Sequence, residues 1–459
     1  MNDLPSFQSD LPASIRSRSM GMKLIVVCGL ALLMMIPALF VRELVQDRTN
    51  RATDVIRDIS QQVGGQQTFL GPTLAIPYSI AAKNPSDLPE HGIYLVFPAQ
   101  ANAVLKTTTG ERRRSLFKVP VFKADVSLDA TFNLSGVPDA LPQGAVLDWN
   151  RTEMIVGVSD TRGALSNATL TVAGKTSTLV PAQIVPSISI GIDKGPPISL
   201  TLIGTPATDF AKPGAGVNVT SALRFSGAQR IAVLSYGKTT QVFAQGDWPN
   251  PGFDGGFLPV KRSVSKQGFS AQWSVPFIAR GVRAEGSADS ITGLEATSLG
   301  VSFIEVADPY QSVSRSLKYV LLFLGLLFLS YFVFEVTTGK RVHPAQYILV
   351  GIAQMIFYLL LLSLSERIGF DFSFLIAGVA TVLLLSANAE WVFDSRKQGA
   401  RALVIFTLLY ALIYMLLRLE DNALLVGAIA SFLTLASAMY YTRNIDWYSS
   451  LSEPGPRET

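Results

Sequence analysis

The sequence predicts an α+β membrane protein that combines a mostly antiparallel, sandwich-like β domain with six transmembrane helices. Three observations predict this class. Six apolar runs each approach the roughly 20 helical residues that cross a bilayer core of about 30 Å. Between the first and second runs, apolar and polar residues alternate with the period of two that strands show. Charged residues, 16% of the chain, are scarce within the runs. The runs are Leu24–Val41, Tyr319–Val336, Tyr347–Leu364, Phe372–Ala389, Ala402–Leu417 and Ala423–Tyr441.

One run precedes a large middle block and five follow it. The first run is predicted to remain as an anchor, because Phe40-Val41-Arg42-Glu43 offers signal peptidase no small-x-small site. The predicted segments are an N-terminal tail (1–23), a first span (24–41), a juxtamembrane stalk helix (42–65), a β-rich domain (66–314), a five-helix membrane domain (315–441) and a C-terminal tail (442–459).

Basic residues beside the runs predict the topology, because short cytoplasmic loops carry an excess of lysine and arginine. The loops on the side of the termini hold nine of them, and the short loops on the other side hold only Arg367 and Arg418, each beside acids. Cytoplasmic termini and an exported middle block are therefore expected. The nine are Arg16, Arg18, Lys23, Lys340, Arg341, Arg396, Lys397, Arg401 and Arg443.

The segment just outside the first span has a helical pattern. Val45, Ala52 and Ile59 recur every seven residues as an apolar stripe on a charged helix, and Gly64-Gly65 is expected to end that helix. Two interpretations remain open. The stripe packs on the chain's own β domain, or it joins copies of the chain as a self-associating stalk.

Alternating residues within the exported block predict antiparallel strands. Residues 126–134 and 217–225 place apolar side chains on one face, and residues 262–264 and 269–273 form a hairpin with a four-residue turn at 265–268. Short strands broken by proline and glycine continue through the block, which favours sheets packed as a sandwich. The pattern leaves open whether there is one sandwich or two.

Composition argues against several classes of function. The single cysteine, Cys28, lies inside the first span, so no disulfide forms within the chain. A net charge of +4 without a dense basic run argues against nucleic-acid binding. His91 and His343 are the only histidines and lie on opposite sides of the predicted membrane, and no ligand cluster suits zinc. We therefore expect no metal and no cofactor.

One aromatic, glycine-rich loop is the candidate ligand or partner site of the exported block. Trp248, Asp254 and Phe257 lie in it, and Asp247 and Asp254 flank the tryptophan. Paired carboxylates beside an aromatic ring are typical of carbohydrate-hydrolysing sites. The same residues also suit a structural loop whose rings fill the core and whose glycines make turns, and we favour that interpretation.

Charged residues near the membrane are expected at its surfaces. Glu335, Glu366 and Glu390 all lie at span ends, where water and headgroups are expected to reach them. No acid or base falls at mid-span, which argues against an ion pathway. A basic cytoplasmic turn is the candidate contact for anionic headgroups, and it contains Lys340, Arg341 and His343.

Several short motifs follow one another between about residue 20 and residue 450. They are 70–77, 159–163, 248–253 with 257–259, 269–273, 332–335, 343–347 and 442–448. Together, in this order, they resemble the CreD family of inner-membrane proteins. The resemblance implies one anchor, a large periplasmic domain and a cluster of C-terminal spans in the bacterial inner membrane. It also implies a link to cell-envelope integrity, envelope stress and the β-lactam response. No agreed reaction comes with the family, so no catalytic residue is carried over.

The function expected from these observations is a non-enzymatic contribution to envelope integrity by the periplasmic β domain. The expected partners are the lipid bilayer and envelope proteins or glycans, with the oligomeric state left open. Two alternatives remain: a carboxylate-dependent enzyme acting on cell wall or glycan, and a small transporter built on the C-terminal spans.

Overall fold

The structure is a computed structural model, and it describes residues 20–82, 89–114, 117–138, 141–192, 195–288, 291–303, 309–340 and 342–418, with isolated positions between 425 and 443. The chain divides into two compact units. One unit is formed by Met1–Arg51 with Ala307–Thr459, and the other by Ala52–Val306. The first unit is helical and the second is rich in β-sheet, so the predicted α+β class is confirmed.

Five helical segments among the described residues are long and apolar enough to cross a membrane. They are Met22–Gln62, which contains most of α1 and all of α2, and the helices α5 to α8. They correspond to the first five predicted spans, whereas the sixth, 423–441, lies largely outside the described residues. The helices are α1 (Met20–Leu33), α2 (Met35–Gln62), α3 (Phe277–Arg280), α4 (Pro309–Lys318), α5 (Val320–Thr338), α6 (Pro344–Ile368), α7 (Phe370–Phe393) and α8 (Arg396–Arg418).

The N-terminal helix is interrupted once, at Met34 between α1 and α2. Pro37 explains the interruption, because its ring clashes with the carbonyl four residues earlier, that of Leu33, and its nitrogen has no proton to donate. Helix α2 then continues to Gln62, close to the predicted end of the stalk helix. Gly64 and Gly65 follow with φ of +96° and +60°, conformations that end a helix and suit glycine.

The apolar stripe of the stalk helix is buried as predicted, with Val45, Ala52 and Ile59 exposing 2%, 8% and 7% of their surface. Ile59 forms a small hydrophobic cluster with Val119 and Ala228 of the β unit. The end of α2 therefore packs on the chain's own β domain, the first of the two interpretations.

Nineteen strands are described, and they form two sheets. The strands are β1 (Gln67–Ile80), β2 (Glu90–Val96), β3 (Gln100–Arg114), β4 (Phe117–Asn133), β5 (Ala145–Leu147), β6 (Glu153–Val158), β7 (Thr169–Val172), β8 (Lys175–Thr178), β9 (Val180–Pro181), β10 (Ser187–Ile192), β11 (Gly195–Pro206), β12 (Gly216–Ala228), β13 (Arg230–Leu234), β14 (Thr239–Gly246), β15 (Pro251–Gly255), β16 (Lys261–Ser265), β17 (Gly268–Val275), β18 (Glu285–Ser287) and β19 (Ser298–Phe303).

The larger sheet has 11 strands, with β10-β11-β6-β1-β13-β19-β15 as its main path. The smaller has eight in the order β16-β17-β14-β3-β4-β12-β7-β8. Pairing is antiparallel except for β1 with β13 and β3 with β14. Phe69 and Val156 of the larger sheet lie in one buried cluster with Phe122, Leu128 and Trp273 of the smaller. The two sheets therefore share one core, as in a sandwich.

The two strands predicted most clearly pair with each other. β4 and β12 are antiparallel neighbours, with Leu128 opposite Ser221 and Val126 opposite Leu223, all buried. The predicted hairpin also forms, as β16 and β17, but the four-residue turn is wrong. Ser265 pairs with Gly268, so only two residues connect the strands. Gly268 adopts φ +138°, which allows this tight reversal.

Candidate functional site

The candidate loop packs its aromatic rings against the core of the β unit. Trp248 meets Phe303 edge to face at 6.2 Å between ring centroids, and Phe253 meets both Phe269 and Trp273 at about 6 Å. The carbonyl of Phe257 accepts a hydrogen bond of 3.0 Å from the indole nitrogen of Trp273. Edge-to-face contacts and a satisfied indole are features of packed interiors. The rings thus fasten the loop to the sheets, and ligand binding by Trp248 and Phe257 stays a prediction.

Asp254 belongs to a polar cluster that crosses three neighbouring strands. Its carboxylate accepts hydrogen bonds from Arg230 Nε, at 2.7 Å, and from Ser302 Oγ, and Arg230 also reaches Ser298 Oγ at 2.9 Å. Gly300, opposite Asp254 on β19, makes room for the cluster, because a Cβ there would lie 2.3 Å from Asp254 Oδ1. The ion pair between Arg230 and Asp254 joins β13 to β15 across Gly300 of β19, and this contact gives Asp254 a structural role.

Asp247 is held in the other sheet. Its Oδ1 accepts hydrogen bonds from the amide and the hydroxyl of Thr109, at 2.8 Å and 2.7 Å. The two acids therefore have separate partners, one at the end of β14 and one on β15. This geometry favours structural roles for both over a shared hydrolytic role.

The residues that follow the loop expose apolar surface along a sheet edge. Leu258, Val260 and Val264 expose 71%, 69% and 51% of their surface. All five residues of β16 are exposed, and β16 is the last strand of the smaller sheet, with no further strand beside it in the described parts of the chain. Edge strands offer unpaired backbone groups to other chains, and natural proteins usually protect them. We call residues 258–265 the β16 edge.

The predicted headgroup residues take mixed positions. His343 is exposed and caps α6, accepting a hydrogen bond from the amide of Ala345 through Nδ1 at 3.2 Å. Lys340 is exposed, with its ammonium 3.7 Å from a carboxylate oxygen of Asp394. Arg341 lies outside the described residues. Headgroup contact by these residues stays a prediction.

Glu335 lies inside the helical unit, and here the expectation from sequence was wrong. It exposes 2% of its side chain and forms an ion pair with Lys23. The amide of Val342 donates to Oε1 at 2.8 Å, and the hydroxyl of Tyr347 donates to Oε2 at 3.1 Å. Water and headgroups therefore have little access to this acid. The sequence held one signal for the contact: Lys23 and Glu335 are lone charges at the ends of two apolar runs.

Polar side chains inside the described spans are neutral at mid-span, as predicted. Gln354 and Tyr410 are buried, and the tyrosine hydroxyl donates to Gln354 Oε1 at 2.5 Å. Tyr331 donates to the carbonyl of Leu385 at 2.9 Å. These contacts join helices in a setting where water cannot satisfy polar groups.

A junction that sequence reasoning missed joins the end of α2 to both sheets. Gln67 Nε2 donates to the carbonyls of Gly64 and Asp160, and the Ser226 hydroxyl lies 2.9 Å from the carbonyl of Val63 and 3.2 Å from that of Gly163. A Cβ on Gly163 would lie 2.4 Å from the carbonyl oxygen of Ser226. Buried backbone carbonyls need such partners. We call this set the helix–sheet junction.

The turn beside this junction holds an ion pair between Asp160 and Arg162. Arg162 Nη2 lies 2.6 Å from Asp160 Oδ2. Hydrogen bonds from Arg162 lower the pKa of Asp160 below its usual 3.8, and partial burial opposes this shift.

This lowered pKa predicts a pH-dependent effect of Asp160→Asn. A carboxyl with a lower pKa in the folded state stabilises the fold at pH above its unfolded value, and that contribution is lost as the pH falls through the folded value. The Asn variant should therefore melt below the native chain at pH 7, and the two melting temperatures should converge towards pH 2. Thermal unfolding of the full chain in detergent checks this, and a gap that stays constant from pH 7 to pH 2 would contradict it.

Comparisons with known proteins cover both units. A family model described as Inner membrane protein CreD matches residues 19–448. The chain is also similar to Inner membrane protein CreD of Escherichia coli (strain K12), with 30% identity over 433 residues. That alignment covers 93% of this chain and 93% of the relative.

Proposed function

The chain belongs to the CreD family of inner membrane proteins, and from that premise we propose that its β unit is a periplasmic interaction module. The module contributes to envelope integrity and to the envelope-stress response, including the response to β-lactams. The module acts by binding an extended segment of another envelope protein, without catalysis. Binding takes place at the β16 edge.

The exported orientation rests on the charges beside the spans. Nine basic residues in the loops and tails on the side of the termini, against two in the short loops on the other side, favour cytoplasmic termini. The β unit lies between the first and second spans in sequence, so it then faces the periplasm.

The non-enzymatic mode is supported by the state of the candidate acids. Asp254 forms an ion pair with Arg230, and Asp247 accepts a hydrogen bond from Thr109. Each carboxylate therefore has its own partner, which disfavours their acting together as a catalytic pair. The described residues contain no group of three or more His, Cys, Asp or Glu able to hold a metal ion. His91 is exposed at the start of β2.

The observation that carries the proposal is the β16 edge itself. A strand added to a sheet edge gains main-chain hydrogen bonds, and alternate side chains give it specificity. Val260 and Val264 offer exposed apolar contacts beside those backbone groups. Only another polypeptide in extended form supplies donors and acceptors at the spacing of a strand, which is why the partner is a protein segment.

Charges placed on the β16 edge should abolish function without unfolding the chain. We expect the double variant Val260→Lys, Val264→Lys to fail to restore β-lactam and detergent tolerance to a strain that lacks the chain. The change replaces both apolar contacts of the edge with charges, in addition to Lys261 and Arg262 already on β16, and accumulated charge on an edge strand disfavours pairing with a further strand. The matched control is Val146→Lys, because Val146 is 69% exposed on β5 of the other sheet.

Two outcomes would contradict the proposal, provided that membrane levels and melting temperatures match those of the native chain. One is full tolerance with the double β16 variant. The other is loss of tolerance with a folded Asp247→Asn, Asp254→Asn variant, which would favour the carboxylate-dependent enzyme.

A further inference from the structure

A partly open cavity of about 610 Å³ lies in the β unit, between strands β2 and β10, residue 288 and residues 291–295. Small-molecule sites occupy roughly 300–1,000 Å³, and protein interiors otherwise contain few voids larger than a water molecule. At about 30 Å³ per water molecule the cavity equals roughly 20 waters. The cavity therefore has the size of a small-molecule site.

The walls come from two hydrophobic clusters of the β unit. Leu70, Phe97 and Leu294 belong to the main core, whereas Leu95 and Val185 belong to a smaller cluster that includes Ala75 and Leu202. Each of the five wall residues exposes 7% of its surface or less. Both clusters therefore give the cavity buried apolar walls.

Two further wall residues connect the clusters. Ile188 on β10 and Ile291 pack against both clusters and line the cavity. Water beside these hydrocarbon walls finds no hydrogen-bond partner on that side, and unfilled space there leaves the walls without dispersion contacts. An alkyl chain supplies those contacts and needs no hydrogen bonds.

The wall at Phe97 is held in place before any ligand arrives. The guanidinium of Arg280 lies 4.3 Å from the centre of the Phe97 ring, and the Phe97 amide donates to the carbonyl of Ala284 at 2.9 Å. A site whose walls are already ordered loses less entropy when it binds.

The polar lining residues identify the head group. Ser187, Ser189 and Thr292 are exposed, and Glu295 is the only charged residue among the described lining residues. The three hydroxyls can donate or accept hydrogen bonds, whereas the carboxylate only accepts them, so it attracts an ammonium or a hydroxyl and repels an anion. We infer that this cavity binds a single-chain amphiphile, with its alkyl chain against the apolar walls and a neutral or cationic head group beside Glu295.

Photolabelling of the full chain in nanodiscs tests the inference. The probes are a dodecylamine with a diazirine in its alkyl chain and the matching dodecanoate, followed by peptide mapping. We expect the amine to label peptides that contain residues 93–97, 185–189 and 291–295, and to exceed the dodecanoate there by about fivefold. Labelling of the spans, which any alkyl probe reaches through the bilayer, is the internal reference.

Two variants distinguish probe binding in this cavity from a general affinity of the probe for apolar surfaces. Ile188→Trp fills the cavity and should remove the label from these peptides while span labelling is unchanged, and Leu165→Trp, at a 47% exposed position outside the lining, should remove none. Glu295→Gln, which keeps the size of the side chain, should erase the preference for the amine. Cavity labelling that survives a folded Ile188→Trp, or that never exceeds the peptide around Val146, overturns the inference. An amine preference unchanged by Glu295→Gln overturns the head-group assignment.

Discussion

Glu335→Ala is expected to destabilise the helical unit by about 3 kcal/mol or more, because breaking a buried ion pair by removing one partner typically costs about 3–5 kcal/mol. The carboxylate serves three donors: the Lys23 ammonium, the Val342 amide and the Tyr347 hydroxyl. Its removal leaves the amide and the hydroxyl buried without an acceptor, and each such group costs about 1–3 kcal/mol. The lower end of the range applies because the side chain of Lys23 is 22% exposed and retains some hydration.

A double-mutant cycle tests the contact itself. Lys23→Met leaves the buried carboxylate with two neutral donors, and the double variant Lys23→Met, Glu335→Gln removes both charges while keeping an acceptor for Tyr347 and Val342. We expect a coupling energy of about 2 kcal/mol between the two positions. Unfolding of the full chain in detergent supplies the four free energies. Additive effects of the two single changes would show that the ion pair contributes nothing to the assembly of these helices.

Gly163→Val should destabilise the β unit by about 3 kcal/mol, the upper end of the usual cost of overpacking. A Cβ at residue 163 would come within 2.4 Å of the Ser226 carbonyl oxygen and 2.6 Å of Gln67 Nε2. The carbonyl belongs to strand β12 and cannot move without disturbing the pairing of β12 with β4. The added side chain would also separate Ser226 and Gln67 from the carbonyls that they satisfy.

Gly110→Val is the matched control, because residue 110 lies on β3, where an added Cβ would meet no described atom within 4 Å. It should leave the melting temperature of the full chain nearly unchanged. Gly163→Ala provides a graded version in case the valine variant does not accumulate in the membrane. Equal melting temperatures for Gly163→Ala and Gly110→Ala would show that the helix–sheet junction tolerates extra volume.

Local patterns predicted the strands and helices well where one physical signal dominated. The alternation in 126–134 and 217–225 was sufficient to find β4 and β12, because each strand buries a single face. The seven-residue stripe of Val45, Ala52 and Ile59 was sufficient to predict a buried helix face. The interruption at Met34 also agrees with the position of Pro37.

Long-range polar contacts could not be predicted in the same way. The partners Lys23 and Glu335, or Arg230 and Asp254, are brought together by pairing and packing that leave no periodic trace in the sequence. The exposure of Glu335 was misjudged because its position in the run suggested the membrane surface, whereas the loop to α6 and the N-terminal helix cover it. The cavity likewise depends on segments distant in sequence, because its walls come from residues 70, 93–97, 185–189 and 291–295.

The order of strands has a consequence for export. β1 is the first strand of the chain and lies inside the larger sheet, where residues 67–69 pair in parallel with 231–233 of β13, and β13 in turn pairs with β19 at residues 298–302. Folding that depends on pairing between distant segments is slow, and unpaired strands are prone to aggregate. On the proposed topology, the anchor is already in the bilayer while the central strand waits for β13 and β19 to cross. On that topology the β unit completes its sheet only when translocation is nearly finished, and its early strands stay without their final partners until then.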